Sequence, residues 1–141
     1  DVLVPDFRWT ETYTVNPGML TWGYAMTCAY LTRCVNNHGF RGFAAGEVQF
    51  RGAQANARLT GTVEQPQLTA DISYEFAAQP NVVNQTIGTI VGIAAKGWEH
   101  IDVRYEQTDD AAAVKTTPRP IAAYVHQVYP YASFGGLGIG T

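Results

Sequence analysis

The sequence predicts a single, mainly β domain over residues 1–141. We expect a sandwich or barrel of about six to eight strands with one short helix at about residues 25–36. Two observations lead to this fold class. Apolar and polar side chains alternate with a period of two in most segments, as they do in half-buried strands. Turn residues such as Asn16-Pro-Gly18 and Gln79-Pro-Asn81 separate these segments, and they favour short connections.

The composition agrees with one domain whose surface carries little charge. A chain of 141 residues can bury a core without metals or disulfides. Charged residues make up only 15% of it, against about 25% in typical globular proteins. Protein interfaces are depleted in charged residues and enriched in Tyr and Trp, so this composition favours a surface that faces other subunits. A stable β-sandwich with a weakly charged surface has a similar composition.

Charge and hydropathy argue against two classes of partner. The net charge is −3, and the nine basic residues are scattered singly from Arg8 to Arg119. Without a Lys/Arg cluster, no nucleic-acid contact is predicted. The sequence contains no apolar run of about 18 residues, so no membrane span is predicted either.

The first fifteen residues predict an arm followed by a strand. Residues 1–8 are expected to be extended, because Pro5 cannot donate to a central β-ladder. From Trp9 to Val15, large side chains alternate with threonines, a pattern typical of a strand.

Residues 19–35 fit two different periodicities. With a period of two, one face is apolar and aromatic, comprising Leu20, Trp22, Tyr24, Met26, Cys28 and Tyr30. With a helical period, Tyr24, Cys28, Leu31 and Val35 form a stripe. A strand of this length would exceed the usual 3–10 residues. We therefore predict a strand over about 19–24 that passes into a helix over about 25–36, and the choice between strand and helix stays open.

The middle of the chain predicts the core sheet. Glu47–Arg51 and Ala57–Val63 are predicted strands, with a loop at 52–56 and a bulge at Gly61. In Gln67–Phe76 one face of a strand is apolar, comprising Leu68, Ala70, Ile72, Tyr74 and Phe76. The β-branched run Thr86–Ile93 and the alternating segment Trp98–Tyr105 are expected to complete this sheet.

The end of the chain predicts one more strand and a tail. Residues 106–113 are expected to be a polar loop, and Ile121–Tyr129 alternates as a last strand. Residues 130–141 combine glycines with aromatic and aliphatic residues. Such a tail is expected to be extended and to become ordered only against a neighbouring subunit.

The cysteine spacing favours two buried free thiols. Cys28 and Cys34 are six residues apart, which corresponds to roughly 20 Å on a strand or roughly 9 Å on a helix. Both separations exceed the ~7 Å limit for a disulfide. A bond would require the chain to turn between them.

No motif predicts catalysis, a cofactor or a metal. His100 and Asp102 lie on one face of a predicted strand, and with His126 they would make a two-His, one-carboxylate metal site if they converged. We expect them instead to be surface residues on unrelated strands. No G-x-S-x-G elbow or phosphate-binding loop is present. We therefore predict that the protein is not an enzyme.

Four segments carry a resemblance to known sequences. They are Phe43-Ala-Ala-Gly-Glu-Val-Gln-Phe-Arg-Gly-Ala53, Tyr74-Glu-Phe-Ala-Ala-Gln-Pro-Asn81, Lys96-Gly-Trp-Glu-His-Ile-Asp-Val-Arg-Tyr105 and Val128-Tyr-Pro-Tyr-Ala-Ser-Phe-Gly-Gly-Leu-Gly-Ile139. Over roughly residues 43–141 the chain resembles small uncharacterised structural proteins of phage-like gene sets. The resemblance implies a virion or tail component and supplies no catalytic residue.

The leading hypothesis is a structural, self-assembling subunit of a phage-like particle, such as a head, neck or tail component. Its expected partners are copies of itself and other particle proteins, and its expected location is the virion or assembled particle, built in the cytoplasm. The predicted subunit contacts are apolar residues of the two ends, namely Val2, Leu3, Val4, Phe7, Tyr129, Tyr131, Phe134, Leu137 and Ile139. The alternative is a β-sandwich module that binds carbohydrate or a small apolar ligand through Trp and Tyr side chains.

Overall fold

The computed structural model describes residues 6–110 and 115–141, with side-chain environments for residues 6–105, 120 and 122–141. It confirms a mainly β, sandwich-like single domain with one α-helix. Among the described residues the sheets form no closed barrel. The elements are β1 (Phe7–Val15), α1 (Trp22–Leu31), β2 (Val35–Asn36), β3 (Val48–Gly61), β4 (Pro66–Ala78), β5 (Val82–Ile87), β6 (Ile90–Ala95), β7 (Glu99–Asp110), β8 (Lys115–Gln127) and β9 (Tyr131–Ala132).

A five-stranded sheet in the order β1-β4-β3-β2-β9 forms the body of the domain. Its strands pair antiparallel, except that β2 and β9 run parallel. The predicted strand Gln67–Phe76 is confirmed as part of β4, which lies between β1 and β3. Four of its five predicted core residues are buried, and Leu68 is exposed because it lies in the part of β4 that extends beyond the core.

Aromatic rings fill the core above this sheet. Phe50 of β3, Phe76 of β4, Phe40 and Phe134 are each at most 1% exposed. The ring centroids of Phe40 lie 5.0 Å from Phe76 and 5.1 Å from Phe134, and Trp9 stacks on Phe76 at 5.3 Å. Such tilted and edge-to-face contacts add to the free energy gained by burying the rings.

The outer part of the β3–β4 pair leaves the core. A register shift between Phe50 and Gly52 marks a bulge, and beyond Ala53 the side chains of β3 are mostly exposed. The predicted loop at 52–56 and the predicted bulge at Gly61 are therefore wrong. The two strands keep pairing to Gly61↔Pro66, because backbone hydrogen bonds alone can continue a ribbon without a core.

Helix α1 begins earlier than predicted and ends earlier. The Thr21 side chain accepts a hydrogen bond from the Tyr24 N–H at 3.1 Å and so caps the N-terminus. At the other end, Arg33 has a φ of 72°, and its N–H donates to the Phe50 carbonyl at 2.7 Å. The predicted strand at 19–24 is wrong, because this cap starts the helix at Trp22, after a 3₁₀ turn at Pro17–Met19.

Two further ribbons lie outside the five-stranded sheet. The β-branched run Thr86–Ile93, predicted as one strand, turns at Gly88-Thr89 and contributes to the hairpin of β5 and β6. β7 pairs with β8 along its whole length. The predicted polar loop is partly wrong, because residues 106–110 continue β7, while residues 111–113 lie outside the described residues.

A hydrogen-bonded junction attaches these ribbons to the body. The Glu47 carbonyl accepts hydrogen bonds from the Trp98 indole N–H at 2.9 Å and from the Gln79 N–H at 2.8 Å. The Glu47 carboxylate accepts from the Asn81 N–H, and the Asn81 side chain accepts from the Gly97 N–H, both at 2.8 Å. Three of the four segments that carry the phage-like resemblance thus meet here, so that pattern includes residues that build the fold.

Candidate functional site

The predicted contact residues at the C-terminus belong to the core of their own chain. Phe134 and Leu137 are 1% and 2% exposed, in a 3₁₀ turn at Phe134–Leu137. The Tyr24 hydroxyl donates to the Leu137 carbonyl at 2.7 Å, and Arg41 donates to the Ile139 carbonyl at 2.9 Å. The expectation of an extended tail is therefore corrected, because apolar side chains spaced by glycines can fold back onto their own sheet.

The other predicted contact residues have mixed environments. Val2, Leu3 and Val4 lie outside the described residues. Phe7 begins β1 and is exposed. Tyr129 and Tyr131 are half-buried: Tyr129 packs edge-on against Trp98 at 5.9 Å, and the Tyr131 hydroxyl donates to Glu99 at 2.7 Å.

The pKa of Tyr131 is raised to about 12, first by burial and then by the hydrogen bond to Glu99. Tyr131 is thus held neutral at physiological pH, as a structural donor to the base of β7.

The three residues of the possible metal site lie on paired strands. His100 is opposite His126 and Asp102 is opposite Tyr124 in the β7–β8 ladder. The expectation that these strands are unrelated is therefore wrong. His126 and Asp102 are still 4.0 Å apart and both more than half exposed. Among the described residues, no group of three His, Cys, Asp or Glu side chains is arranged to hold a metal ion.

Cys28 and Cys34 are both free and buried, as predicted. Burial raises the pKa of each thiol above its ordinary value. A thiol that stays protonated is a poor nucleophile. The geometry thus gives these cysteines the role of small apolar core residues.

Helix α1 has an apolar face on both sides. Cys28 and Leu31 pack into the core beneath it. On the opposite side Trp22, Met26 and Tyr30 follow each other at intervals of four residues and are 81%, 55% and 79% exposed. A helix that is apolar on all sides is typically buried in a larger structure. We call Trp22, Met26 and Tyr30 the outer face of α1.

A groove of about 440 Å³ lies between α1 and β3. Tyr24, Ala25, Cys28 and Ala29 line its helix side, and Gly52–Ala55 line its strand side. Most of these side chains are small, which leaves the space open. The groove and the outer face of α1 are adjacent, since Ala25 and Ala29 each follow an outer-face residue by three positions.

A hydrogen-bonded tyrosine pair holds the wall of this groove. The hydroxyls of Tyr24 on α1 and Tyr74 on β4 hydrogen-bond to each other. Burial and this hydrogen bond raise the pKa of Tyr24 well above its ordinary value. The pair stays neutral and keeps α1 at a set distance from the sheet.

The surface around the groove is uncharged. Residues 12–32 include no Asp, Glu, Lys, Arg or His, and the lining residues from β3 and β4 are likewise uncharged. Such a surface offers no ion pair to a ligand. Its contribution to binding comes from apolar contact and shape.

The edge of β3 beside the groove is open within the described part of the chain. β2 pairs with β3 only at Val35↔Gln49, and the last hydrogen bonds on this edge join Phe50 to Arg33 and Cys34. Residues 52–61 therefore have β4 as their described strand neighbour. Open edges of this kind are sites where proteins add strands from partners.

The outer face of α1 was not among the predicted contacts. Its signal is present in the sequence, since Trp22, Met26 and Tyr30 repeat at helical spacing. The same residues also fit a period of two, together with Tyr24 and Cys28. Only the helical conformation separates the two sets, with Tyr24 and Cys28 facing the sheet.

Two comparisons of fold and sequence class remain. No helix in the described part of the chain is long and apolar enough to cross a membrane. No protein-family model, curated protein or solved structure matches the chain. The site is thus defined by its own geometry, as an uncovered apolar surface on a mainly β domain.

Proposed function

We propose that this chain is a structural, self-assembling subunit of a phage-like particle, such as a head, neck or tail component, rather than an enzyme. Its partners are copies of itself and other particle proteins, and it acts in the virion or assembled particle. One observation carries the self-assembly: the outer face of α1 leaves large apolar side chains in water. Contiguous exposed apolar surface of this kind marks interaction sites.

The energy available from covering this face supports association. Burying a large apolar side chain contributes about 1.5–3 kcal/mol. Trp22, Met26 and Tyr30 together offer several kcal/mol, before the entropy lost on association is subtracted. Within a particle, many copies repeat this contact, so a modest contribution per copy supports a stable assembly.

The ribbons add further uncovered apolar side chains. The outer part of the β3–β4 pair and the β5–β6 hairpin expose Leu59, Val63, Leu68, Val83 and Val91. Single apolar residues on a surface are ordinary. Here they lie on strands that project beyond the core, where a neighbouring subunit can reach them from both sides. This arrangement favours a component with several neighbours.

The phage-like part of the proposal rests on the resemblance over residues 43–141. Its segments include the start of β3, the end of β4 and the first half of β7. The junction at Glu47 joins them, which explains why these residues would recur together in a set of structural proteins. The segments bring no catalytic chemistry with them.

Light scattering on a sizing column over a concentration series tests the self-assembly. We expect species larger than the 15.4 kDa monomer, growing with concentration, and rings or tubes in electron micrographs of the concentrated protein. A monomer at every concentration up to the millimolar range would contradict the proposal.

The groove favours one second function, a binding module for a carbohydrate or a small apolar ligand. Its volume of about 440 Å³ falls within the usual range for ligand sites. This function requires a monomer whose Trp22 fluorescence responds to ligand. A glycan array and an apolar fluorescent probe, applied to wild type and to Trp22→Phe, distinguish it from self-assembly.

A further inference from the structure

We propose that two copies of this chain pair through a two-fold contact, in which Trp22 of each copy enters the groove between α1 and β3 of the other. This inference rests on the proposed self-assembly and names the surface that begins it. The motivating observation is that one face of the molecule carries both a projecting indole and, beside it, an open apolar groove.

The groove and the indole match in size and chemistry. A volume of about 440 Å³ has room for an aromatic side chain together with part of its helix. The alanines at positions 25 and 29 and the small residues of β3 let a neighbouring helix come close. Ile72 and Cys28 add apolar surface to the lining. An indole held there would lose the water that now surrounds 81% of it.

A second copy is the occupant that the charges favour. Residues 12–32 carry no charged side chain, so two copies of this face meet without like-charge repulsion. A partner with a charged surface would lose hydration here and gain no ion pair. A two-fold contact requires a surface that is complementary to itself, and a knob beside a hole on an uncharged face meets that requirement.

The available area agrees with a specific dimer. Trp22 and Tyr30 together expose roughly 300 Å², since each aromatic side chain can bury about 150–250 Å². Met19, Met26 and the groove walls raise the apolar area to on the order of 600–800 Å². Specific interfaces bury about 800 Å² per partner. The face is thus large enough for a dimer, with other surfaces left to extend the assembly.

Sedimentation velocity on three variants tests the contact. Trp22→Ala removes the knob, and Ala29→Phe fills the groove from within its own copy. Each should raise the dimer Kd about 30-fold, as expected for the loss of a hot-spot tryptophan. Val91→Ser, which removes an exposed apolar side chain from β6, is the matched control and should leave Kd unchanged. Thermal melting verifies that each variant is folded.

A mixture of the two variants gives the sharpest outcome. A Trp22→Ala copy has an open groove, and an Ala29→Phe copy has an intact tryptophan. Their mixed dimer regains one of the two insertions, so the mixture should associate more tightly than either variant alone. A contact that does not exchange Trp22 between copies predicts no such rescue, and its absence overturns the proposal.

Tryptophan fluorescence gives an independent readout. Trp9 and Trp98 are already half-buried, whereas Trp22 is mostly exposed. Dimerisation should shift the emission to shorter wavelength with rising concentration, and Trp22→Phe should abolish that shift.

The outcomes separate this inference from the proposed function. Assembly that persists unchanged in Trp22→Ala and Ala29→Phe overturns the Trp22 contact and leaves self-assembly intact. A wild-type protein that stays monomeric at all concentrations overturns both. A monomer whose Trp22 emission responds to a small apolar probe overturns both in favour of the binding module.

Discussion

The two halves of the β3–β4 pair share one ladder but lie in different surroundings. In the inner half, Val48–Ala53 and Ile72–Ala78, the side chains of Phe50 and Phe76 are fully buried. In the outer half, Gln54–Gly61 and Pro66–Thr69, Leu59 is 72% exposed. The strand pairing continues unbroken between them. Pairing therefore determines the shape of the ribbon, and side-chain packing determines where it is stable, because a two-stranded ribbon alone is marginal in water.

The contacts that hold the outer half are weak ones. Arg58 and Asp71 form an ion pair at 2.9 Å at the boundary between the halves, with both side chains about a third exposed or more. Exposed pairs of this kind contribute at most about 1 kcal/mol. Val63, at the turn, is fully exposed. The outer half thus remains available to a partner, whereas the inner half carries the stability of the domain.

Truncating one large residue in each half should give the largest contrast. Phe76→Ala removes a ring that contacts Phe50, Phe40 and Trp9, and we expect it to lower the free energy of unfolding by about 3–5 kcal/mol. Leu59→Ala should change it by less than about 0.5 kcal/mol. Urea denaturation of both variants measures these values. Similar losses in the two halves would show that the outer half is packed in solution.

A buried asparagine should give the next largest effect. Asn36 is 0% exposed, and its side chain donates to the carbonyls of His38 and Ala44 and accepts from the N–H groups of Gly46 and Val48. Asn36→Ala leaves buried backbone groups unsatisfied and should destabilise the domain by about 1–3 kcal/mol.

Asn56→Ala is the matched control for this prediction, because Asn56 lies in the exposed outer half. We expect a change within about 0.5 kcal/mol. Urea midpoints that fall by the same amount in both variants would contradict the assignment of stability to the inner half.

The ion pair of Glu11 and Arg41 should make stability depend on acid. Arg41 donates to the Glu11 carboxylate at 2.8 Å. This hydrogen bond is the main cause that lowers the pKa of Glu11 to about 2, with Trp9 and Tyr13 also donating and burial opposing. The folded pKa lies below the ordinary value of 4.5, so the stabilisation is present above pH 4.5 and is lost as the pH falls toward 2.

Glu11→Gln should therefore lower stability by about 1–2 kcal/mol at pH 7, allowing for solvent screening, and by progressively less below pH 4.5. Glu64→Gln, at the exposed turn of the outer half, is the control and should show no such pH dependence. Urea midpoints between pH 7 and pH 2 measure the difference. A deficit in Glu11→Gln that stays constant down to pH 2 would exclude the ion pair as its source.

The sequence predicts the inner half well, because there burial imposes a regular pattern. Ala70, Ile72, Tyr74 and Phe76 alternate with polar residues, and the alternation identifies both the strand and its buried face. The outer half lacks this constraint. Gly52-Ala-Gln-Ala-Asn56 contains small and polar residues typical of a loop, and only its pairing with β4 makes it a strand.

The candidate site was harder to predict for a related reason. Trp22, Met26 and Tyr30 fit both a strand and a helix, and the cap at Thr21 that decides between them is one short polar residue. The tail misled in the opposite direction. Its glycines indicated an extended segment, but Phe134 and Leu137 fill a space in the core that only the tertiary structure defines.

The smallest expected effect comes from a strained glycine in the outer half. Gly61 has a φ of 88°, and a Cβ there would contact the Gln65 carbonyl oxygen. Gly61→Ala nevertheless should lower the global free energy of unfolding by less than about 1 kcal/mol, because the end of the ribbon can open locally and relieve the strain. Gly46 has the same φ but is buried, and its N–H is bonded to Asn36. Gly46→Ala should therefore have the larger effect, about 1–3 kcal/mol.

Amide hydrogen exchange reports where each glycine substitution acts. Gly61→Ala should speed exchange in residues 57–69 and leave the amides of Val48 and Phe76 as protected as in wild type. If Gly61→Ala also exposed those inner amides, the two halves would unfold as one unit. The outer half would then be a cooperative part of the domain, and its exposed leucines and valine would need a stabilising contact within the monomer.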